Sequence, residues 1–514
     1  MRKFPIGIQN FEKIRNDRYL YIDKTRFVHK LTHEGGYYFL SRPRRFGKSL
    51  LLSTIEAYFL GKRELFNGLA IDQLTEEWDE HVVLRLDLNS QRYDHADALR
   101  RILDSALRRW ERDYDMMPAS ESLSIRFSDV IRQAHLHSGR RVVILIDEYD
   151  KPLLQTFDNP ELQTEFRNEL KAFYGVMKSC DEHIRFAMLT GVTRFSKVSV
   201  FSDLNNLEEI SMLPQYADVC GLTEQELRDN LDEDIQALAD RQKMTKEACY
   251  EELRLRYDGY HFCEDDEVGI YNPFSLLNTL KSQKFGDYWF ATGTPTILVE
   301  RLKDNRYNLN NLTTDAVSTS ELNSIDSMEH NPLPLIYQSG YLTIKSYDRE
   351  FDEYTLGFPN KEVEEGFIKY LSKFYVPESS DSEFSITQFV KELRAGKVEQ
   401  FMQRLVTLFA NGNYQVMGDM ELYLQNSLYV FFKLLGFYAD VERHTTDGRM
   451  DMVVQTPSFI YLFEFKVNQS AAVALQQIED KQYGKPFALD PRTLFKIGIN
   501  FNTELRRIDD WKLV

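Results

Sequence analysis

The sequence predicts an α/β protein of several domains, and three observations support that fold class. From Tyr37 to about Pro214, short apolar runs alternate with helical patterns, which indicates a mainly parallel sheet with helices on both faces. From about residue 400 a second alternation of helices and strands begins, which predicts a separate α/β domain. The chain has 514 residues, 43% hydrophobic and 13% aromatic, so it can bury more than one core.

Changes of pattern along the chain predict four regions. They are a parallel-sheet domain (1–215), a helical or winged lid (216–290), a middle region (291–399) and a C-terminal α/β domain (400–514). Within the middle region, "YLTIKSYD" (341–348) and "EYTLGFPN" (353–360) have the pattern of a β-hairpin. The stretch "VPESSDSE" (376–383) is polar and lacks periodicity, so we expect a linker there.

The same patterns predict the individual elements. In the N-terminal domain, strands are expected at 37–41, 82–90, 141–150 and 184–192, and helices at 48–60, 96–111 and 160–178. In the C-terminal domain, helices are expected at 401–411, 419–435 and 470–482, and strands at 437–443, 449–455, 459–467 and 495–502.

Composition limits the classes of function. The net charge of -17 argues against generic, charge-driven attachment to nucleic acid or to an anionic membrane, so any nucleic-acid contact must be local. Four scattered cysteines without a C-x-x-C pair predict neither a zinc site nor a disulfide framework, which suits a reducing compartment. No segment approaches the roughly 18 apolar residues of a membrane span, and we expect a cytoplasmic protein.

The stretch "SRPRRFGKSLLLS" (41–53) contains most of a phosphate-binding loop. Such a loop aims backbone N–H groups and a helix N-terminus at phosphates, while a lysine reaches the terminal phosphates and a hydroxyl ligates Mg²⁺. Gly47, Lys48 and Ser49 have these roles here. Arg42 stands where the first glycine of G-x-x-x-x-G-K-[ST] belongs, so the opening half of the turn must differ. The alternative is a solvated basic loop before an ordinary helix.

A second set of candidate residues follows two apolar strands. Asp147 emerges at the carboxyl end of the strand in "RVVILIDEYD" (141–150), where an open α/β sheet binds ligands, and would hold Mg²⁺. Glu148 is suited to orient or deprotonate the water that attacks a γ-phosphate. The alternative is a strand that ends in a solvated acidic turn. Past the next strand, Thr190, Thr193 and Arg194 could sense the γ-phosphate, although Arg194 could equally be a structural ion-pair partner.

A third set lies in "ERHTTDGRMDMVVQTPSFIYLFEFKV" (442–467). Asp447-Gly448 predicts a turn between two strands, and Asp451 lies on the second of them. On the next strand, 459–467, Glu464 and Lys466 share one face. Burying that charged pair is costly unless something compensates it. A Mg²⁺ ion held by Asp451 and Glu464 would do so, with Lys466 orienting a water that attacks a phosphodiester. The alternative is an edge hairpin with a wet polar face.

Neighbouring helices offer supporting residues. Glu421 is a candidate third carboxylate, although a glutamate near a helix start is also favoured by the helix dipole. Gln477 and Lys481 are i,i+4 neighbours that would face the active site, and a solvated helix face explains them nearly as well.

Four segments resemble the AAA-ATPase-like family of bacterial and archaeal proteins: "FPIGIQNFEKIRNDRYLYIDKT", "YYFLSRPRRFGKSLLLSTIEAYF", "ILIDEYDKPL" and "GVTRFSKVSVFSDLNNL". In that family R-P-R-R-F-G-K-S is the usual form of the loop, and the resemblance covers about 4–215. It implies an additional-strand P-loop NTPase that binds ATP and Mg²⁺ through Lys48 and Ser49, with Asp147 and Glu148 as its acidic pair. It also makes three arginines candidates for contacts to phosphate: Arg42, Arg44 and Arg45.

The pattern "ELYLQNSLYVFFKLLGF … GRMD … FEFK … ALQQIEDKQYGKPF" resembles the PD-(D/E)XK nuclease superfamily, in the group found fused behind this ATPase. The resemblance covers about 400–505 and implies a restriction-endonuclease-like domain. It gives catalytic roles to Asp451, Glu464 and Lys466, with Glu421 and Gln477 in support. One departure is that the Q-x-x-x-Y pair of related nucleases needs a tyrosine at position 481, where a lysine stands, which puts substrate positioning in question.

Three hypotheses of function follow. The first is an ATP-regulated, Mg²⁺-dependent nuclease that acts on DNA in preference to RNA. The second is an NTP-dependent switch or scaffold whose C-terminal domain only binds nucleic acid or a protein partner, and the intact Asp451, Glu464 and Lys466 argue against it. The third is an ATP-driven translocase, for which the sequence lacks recognisable helicase motifs. Homo-oligomerisation, the form of the substrate and the pathway stay open.

Overall fold

The computed structural model describes two compact units. It describes residues 2–514 except 118–119, 195–203, 205, 265–267, 294, 324–330, 377–385, 411–419 and 447–448, with only the backbone for 442–446 and 449–451. The first unit comprises Met1–Gly293 and Asp315–Val363, and the second comprises Thr294–Thr314 and Glu364–Val514. The predicted linker lies, from residue 377 onward, outside the described residues, as does the predicted Asp447-Gly448 turn.

A five-stranded parallel sheet forms the centre of the first unit. Its order is β2-β3-β4-β1-β5, with β1 (Tyr37–Ser41), β2 (Val83–Asp87), β3 (Val142–Asp147), β4 (Ile184–Gly191) and β5 (Glu208–Glu209). Every residue of β3 is buried, because parallel strands in the middle of such a sheet are covered on both faces. The predicted parallel sheet is therefore confirmed.

Thirteen helices are described in the first unit. They are α1 (Phe11–Asn16), α2 (Thr25–Glu34), α3 (Lys48–Phe59), α4 (Ala70–Leu74), α5 (Asp97–Asp113), α6 (Leu123–Ser138), α7 (Lys151–Leu154), α8 (Pro160–Ser179), α9 (Glu224–Gln242), α10 (Lys246–Tyr257), α11 (Pro273–Ser282), α13 (Thr319–Leu322) and α14 (Leu333–Gln338). Helices α3 and α6 pack on β3. The sequence patterns predict α3, α5 and α8 but miss α6, which follows α5 after a short connection.

Helices α9, α10 and α11 form a helical bundle after the sheet. The apolar residues Leu227, Leu231 and Ile235 recur at helical spacing on α9 and are fully buried in one cluster that also includes Phe4. Thr223 caps α9 in a capping box with Glu226, which fixes where the helix begins. These helices lie where the helical or winged lid was predicted.

A three-stranded antiparallel sheet completes the first unit. Its order is β6-β8-β7, with β6 (Ala316–Ser318), β7 (Thr343–Asp348) and β8 (Glu353–Gly357). Strands β7 and β8 pair as the predicted hairpin, and β6 is an additional strand that pairs with β8.

The second unit contains a mixed five-stranded sheet. Its order is β13-β12-β11-β10-β9, with β9 (Asp440–Thr446), β10 (Arg449–Gln455), β11 (Phe459–Val467), β12 (Thr493–Asn502) and β13 (Arg507–Leu513). Strands β11 and β12 are parallel and the other neighbours are antiparallel. The predicted strands are present, β9 begins three residues later than expected, and β13 was missed.

Six helices are assigned to the second unit. They are α12 (Thr296–Asp304), α15 (Lys361–Tyr375, which begins in the first unit), α16 (Ile386–Arg394), α17 (Val398–Ala410), α18 (Met420–Gly436) and α19 (Ala471–Asp480). The rings of Phe401 and Phe432 each lie within 6 Å of Phe463, with centroid separations of 5.6 and 5.7 Å, so α17 and α18 pack on β11.

Two further observations bear on the composition. The four cysteines are free thiols and all are buried. In the described parts of the chain, no helix combines the length and the apolar character needed to cross a membrane.

Candidate functional site

The loop between β1 and α3 has the backbone of a phosphate-binding loop in its second half. Gly47 has φ 104, a left-handed conformation that glycine adopts without strain, and it caps the N-terminus of α3. Lys48 begins the helix, so the free backbone N–H groups of its first turn are available to an anion.

The Lys48 amine is buried and held by the loop itself. Its Nζ donates to the carbonyl oxygens of Arg42, at 2.9 Å, and Pro43, at 3.3 Å. The same Nζ lies 3.8 Å from Oε1 of Glu148. An ammonium that rests on backbone carbonyls beside a carboxylate is positioned to exchange those partners for a phosphate.

Arg42 has a structural role in this loop. Its buried guanidinium donates to the carbonyl oxygens of Ser211 (2.7 Å), Tyr216 (3.0 Å) and Ala217 (3.4 Å), and it lies 4.0 Å from the centroid of the Phe262 ring. In this structure the Arg42 guanidinium is bound to backbone carbonyls, which argues against Arg42 as a candidate for contacts to phosphate. A guanidinium is large enough to satisfy several distant carbonyls, which explains how the loop holds its shape without the usual first glycine.

The acidic pair lies at the carboxyl end of β3. Asp147 is buried and accepts a hydrogen bond of 2.7 Å from Thr190 Oγ1, and Glu148 follows it with φ 55. A left-handed glutamate is uncommon, and such backbone strain clusters at functional sites. Asp87 is the register partner of Asp147 on β2, and burial, aided by Asp147 and Glu148, raises the pKa of the Asp87 carboxyl.

Asp150, beside the acidic pair, is a buried carboxylate that the sequence analysis did not single out. It is fully buried, and its Oδ2 accepts hydrogen bonds from the backbone of Val192 (3.0 Å) and from the backbone and hydroxyl of Thr193 (both 2.6 Å). Burial, with the nearby charge of Glu148, raises the pKa of Asp150 to about 6. This contact joins the turns after β3 and β4, and the burial of Asp147 and Asp150 excludes the solvated acidic turn considered above.

Arg194 is paired within the protein. Its Nη1 lies 2.5 Å from Oδ1 of Asn323 and 3.4 Å from Oε1 of Glu209, and the side chain is 3% exposed. Its backbone N–H donates to Gln338. This placement matches the structural ion-pair alternative that the sequence left open, and Arg194 does not line the cavity described next.

A cavity of about 370 Å³ opens on the phosphate loop. Its polar lining comes from residues of the loop and of the strand ends: Arg44, Arg45, Gly47, Lys48, Ser49, Asn89, Glu148 and Lys151. Its apolar lining comes from the N-terminal segment and from the helical bundle, including Ile6, Ile8, Leu20, Ile22, Leu222, Phe274 and Leu277. A lining that combines cations with apolar side chains has the chemistry to hold a polyphosphate joined to a flat base.

The second candidate site lies on β11 in the second unit. Glu464 is 0% exposed and Lys466 is 5% exposed. Lys466 Nζ donates to Glu464 Oε1 at 2.5 Å and to the side-chain oxygen of Gln477 on α19 at 2.6 Å. The antiparallel register of β10 and β11 places Asp451 directly opposite Glu464. The structure thus brings together three residues predicted from the sequence: Glu464, Lys466 and Gln477. The backbone of Asp451 lies opposite Glu464 on the neighbouring strand.

One oxygen of this site lacks a partner. Glu464 Oε2 is buried and makes no hydrogen bond within the described part of the chain. A hard carboxylate oxygen in this state suits a divalent cation such as Mg²⁺. Where side chains are described, no group of three or more His, Cys, Asp or Glu residues is placed to hold a metal, and the Asp451 side chain falls outside that description.

Two other residues predicted for this site, Glu421 and Lys481, are exposed. Glu421 lies in the first turn of α18 and is exposed, without a described hydrogen bond to Glu464, Lys466 or Gln477. Lys481 is the exposed C-cap of α19, and Tyr483 packs against the cluster around Ile478. Lys481 therefore lies one helical turn beyond Gln477, at the end of α19, and its backbone N–H donates to the Gln477 carbonyl at 2.9 Å.

Comparison with known proteins finds a family match for each of the two regions that contain these residues. Residues 5–201 match the family model described as "Predicted AAA-ATPase", and residues 419–511 match the "PD-(D/E)XK nuclease superfamily" model. The chain is similar to an "Uncharacterized protein in vnfD 5'region" of Azotobacter chroococcum mcd 1, at 36% identity over 520 residues, covering 99% of this chain and 98% of that protein. The chain therefore belongs to the AAA-ATPase-like family and carries a C-terminal domain of the PD-(D/E)XK nuclease superfamily.

Proposed function

We propose that the protein binds and hydrolyses ATP with Mg²⁺ in its first unit, and that nucleotide state controls a Mg²⁺-dependent nuclease that acts on DNA in its second unit. One observation supports the nuclease proposal more strongly than any other. Glu464, Lys466 and Gln477 are joined by hydrogen bonds, and the second oxygen of the buried Glu464 has no described partner.

The ATP proposal rests on the residues around the cationic cavity. Lys48 would leave the carbonyls of Arg42 and Pro43 to bind the terminal phosphates, and Ser49 and Asp147 would hold Mg²⁺. Glu148, 3.8 Å from Lys48 Nζ, would accept a hydrogen bond from the attacking water. The Mg²⁺ ion would neutralise charge on the phosphates.

The nuclease proposal assigns one role to each residue. Glu464 and Asp451 would hold Mg²⁺, which polarises the phosphodiester and favours a hydroxide nucleophile. Lys466 would orient the attacking water and stabilise negative charge that develops on the phosphate. Gln477 holds the Lys466 amine in place at 2.6 Å. This arrangement performs metal-assisted hydrolysis of a phosphodiester.

The path of the chain supports coupling between the two activities. The chain passes between the units at residues 293–294, 314–315 and 363–364. Trp289 precedes the first of these passages by four residues, and Glu362 immediately precedes the last. Trp289 Nε1 donates to the carbonyl of Arg44 in the phosphate loop at 2.9 Å, and Trp289 N donates to Glu362 Oε1 at 2.7 Å. A change in the loop on nucleotide binding would reach both connecting segments through Trp289.

The acidic composition affects how strongly the protein would bind DNA in the cytoplasm. A net charge of -17 repels the phosphate backbone at long range, so strand binding would depend on local cations such as Lys481 and would weaken with salt.

The test is incubation of the purified protein with single- and double-stranded DNA and RNA, with Mg²⁺ or Mn²⁺, with and without ATP. We expect metal-dependent cleavage of DNA that is lost in Asp451→Ala and Glu464→Ala, while Lys466→Ala keeps metal binding and loses turnover. ATP binding should persist in all three variants. Absence of cleavage of every substrate in every nucleotide state would favour the switch or scaffold, and an Asp451→Ala protein that cuts normally would refute the site.

A further inference from the structure

We propose that Arg44 supplies, from the same chain, the arginine that stabilises the γ-phosphoryl group during ATP hydrolysis, and that Trp289 is its positioning residue. This inference rests on the proposed ATP hydrolysis and goes beyond it, because it names a catalytic group and states that no second copy of the chain has to provide one. P-loop ATPases gain a large part of their rate from such an arginine, which can come from the same chain or from a partner.

The loop carries two arginines that form no ion pair with any acidic residue in the described part of the chain. Arg44 and Arg45 are exposed, both line the cavity, and neither makes an ion pair with the residues that the structure describes. Most arginines with described ion pairs in this acidic protein lie away from the cavity, for example Arg126 with Glu111 and Arg254 with Glu224. Two unpaired guanidinium groups at the mouth of a cationic cavity are suited to a ligand of high negative charge.

Arg44 lines the cavity and directly follows the two residues whose carbonyls hold Lys48. A P-loop lysine reaches the β- and γ-phosphates, and here Lys48 Nζ rests on the carbonyls of Arg42 and Pro43, the two residues before Arg44. Glu148, which would contact the attacking water, lies 3.8 Å from the same Nζ. The reacting group would therefore lie beside the first half of the loop.

Arg45 already has a partner in the helical bundle. Its guanidinium lies 5.2 Å from the centroid of the Phe274 ring on α11, and its backbone is left-handed, with φ 69. Phe274 and Leu277 on α11 also line the cavity. Arg45 is thus engaged with the helical bundle by a cation–π contact, whereas Arg44 has no comparable described contact.

Trp289 fixes the backbone from which the Arg44 side chain starts. The buried indole donates to the Arg44 carbonyl at 2.9 Å. Its backbone N–H donates both to Ser275 Oγ on α11, at 3.0 Å, and to Glu362 Oε1, at 2.7 Å. Arg44 Nη1 lies close to Gly293, where a Cβ would come 3.0 Å from it. Arg44 is therefore held at its main chain, while its guanidinium has no ion pair with the described residues.

The step itself needs no group beyond ATP and water. The oxygen of water forms a bond to the γ-phosphorus, the bond from that phosphorus to the β–γ bridging oxygen breaks, and ADP leaves with the electron pair. One proton of the water passes through Glu148 to solvent or phosphate. Arg44 donates hydrogen bonds to the γ-phosphoryl oxygens and remains protonated throughout, since guanidinium does not titrate in proteins.

The test compares turnover with binding in Arg44→Ala, Arg44→Lys and Trp289→Phe, with Arg101→Ala on the exposed face of α5 as the control. We expect Arg44→Ala to lower kcat by about 10³-fold while the Kd of ATP changes only a few-fold. Arg44→Lys should recover little, and free guanidinium at a non-denaturing concentration should partly restore Arg44→Ala. Trp289→Phe should lower kcat more than it raises KM. The control should match the wild type.

A mixing experiment separates the two possible sources of the arginine. At an ATP concentration well below its weakened Kd, Lys48→Ala is almost free of ATP but keeps its Arg44. An Arg44 that acts on a neighbour would therefore restore hydrolysis when this variant is mixed with Arg44→Ala. We expect no restoration and a specific activity independent of protein concentration. Restoration on mixing, or near-normal kcat in Arg44→Ala, would overturn the inference while the ATPase proposal stands. A wild type that does not hydrolyse ATP would overturn both.

Discussion

Lys466 Nζ lies 2.5 Å from Oε1 of Glu464, and the second oxygen of the same carboxylate has no described partner although it is buried. A buried ion pair stabilises a fold only when the remaining lone pairs are also satisfied. In the described part of the chain, only one of the two Glu464 carboxylate oxygens thus has a partner, and a divalent cation could bind the other.

The first prediction is that Mg²⁺ or Mn²⁺ stabilises the protein through Glu464. At a concentration about 100-fold above Kd, a ligand that binds only the folded state adds about 2.7 kcal/mol to the free energy of unfolding. We expect the wild type to unfold at a higher temperature with the metal, and Glu464→Gln to lose this gain. Thermal unfolding without nucleotide measures it. An equal gain in both proteins would mean that the cation binds elsewhere.

The second prediction separates binding from turnover at the phosphate loop. Lys48→Ala should weaken ATP binding by about 10- to 100-fold, because it removes a charge-assisted hydrogen bond to phosphate. Glu148→Gln should leave binding nearly unchanged and lower kcat by about 100-fold or more, because it removes the group that directs the water. Equilibrium binding and steady-state hydrolysis provide the two readouts. Unchanged nucleotide affinity in Lys48→Ala would contradict the phosphate loop.

The third prediction concerns Arg42, whose guanidinium binds the carbonyls of Ser211, Tyr216 and Ala217. Arg42→Ala leaves these oxygens without their donor, at about 1–3 kcal/mol for each buried group left unsatisfied. We expect the free energy of unfolding to fall by at least about 3 kcal/mol. Arg42→Lys should restore little, because one ammonium cannot reach all of them.

Arg44→Ala in the same loop is the matched control for Arg42, because Arg44 is exposed. Its effect on the free energy of unfolding should stay within about 0.5 kcal/mol. If Arg42→Ala were as stable as the wild type but bound ATP weakly, Arg42 would have to be a residue that contacts phosphate.

Much of the fold follows from local patterns in the sequence. The strands β1, β3 and β4 are short, almost continuous apolar runs, and α3 and α8 begin and end close to their predicted limits. The grouping of Glu464, Lys466 and Gln477 was also predicted, because strand alternation and helix spacing act over a few residues.

Contacts between distant segments could not be predicted in this way. The carbonyls of Ser211 and Ala217 that Arg42 binds lie 169 and 175 positions away along the chain, so no local pattern indicates that the guanidinium is buried. The role of Trp289 depends on a carbonyl 245 positions away. Asp150 was visible in "DEYD", but only the fold shows that it binds the turn after β4 and not solvent.

The fourth prediction is a pH dependence of stability from Glu362, which accepts a hydrogen bond from Trp289 N and is 1% exposed. Burial raises the pKa of the Glu362 carboxyl from 4.5 to about 7. The folded state therefore holds the proton more tightly than the unfolded state does. The contribution of Glu362 is fully present below pH 4.5 and is lost as the pH rises through about 7.

Glu362→Gln tests this pH dependence because it keeps the accepting oxygen and removes the titration. Between those pH values the stability of the wild type should fall by about 3 kcal/mol more than that of the variant, at about 1.4 kcal/mol for each unit of pKa. The raised pKa values of Asp150 and Asp258 act in the same direction in both proteins, so the difference between them isolates Glu362. Denaturant unfolding at several pH values measures it, and parallel curves would contradict the prediction.

The central claim is that ATP bound in the first unit controls cleavage by the second. The most direct measurement is the rate of DNA cleavage in Mg²⁺ with and without ATP, for the wild type and for Lys48→Ala, at equal protein concentrations. We predict that ATP changes the wild-type rate, that it has no effect on Lys48→Ala, and that Glu464→Ala is inactive in both conditions. A cleavage rate that responds to ATP equally in the wild type and in Lys48→Ala, or that ignores ATP in the wild type, would contradict the account.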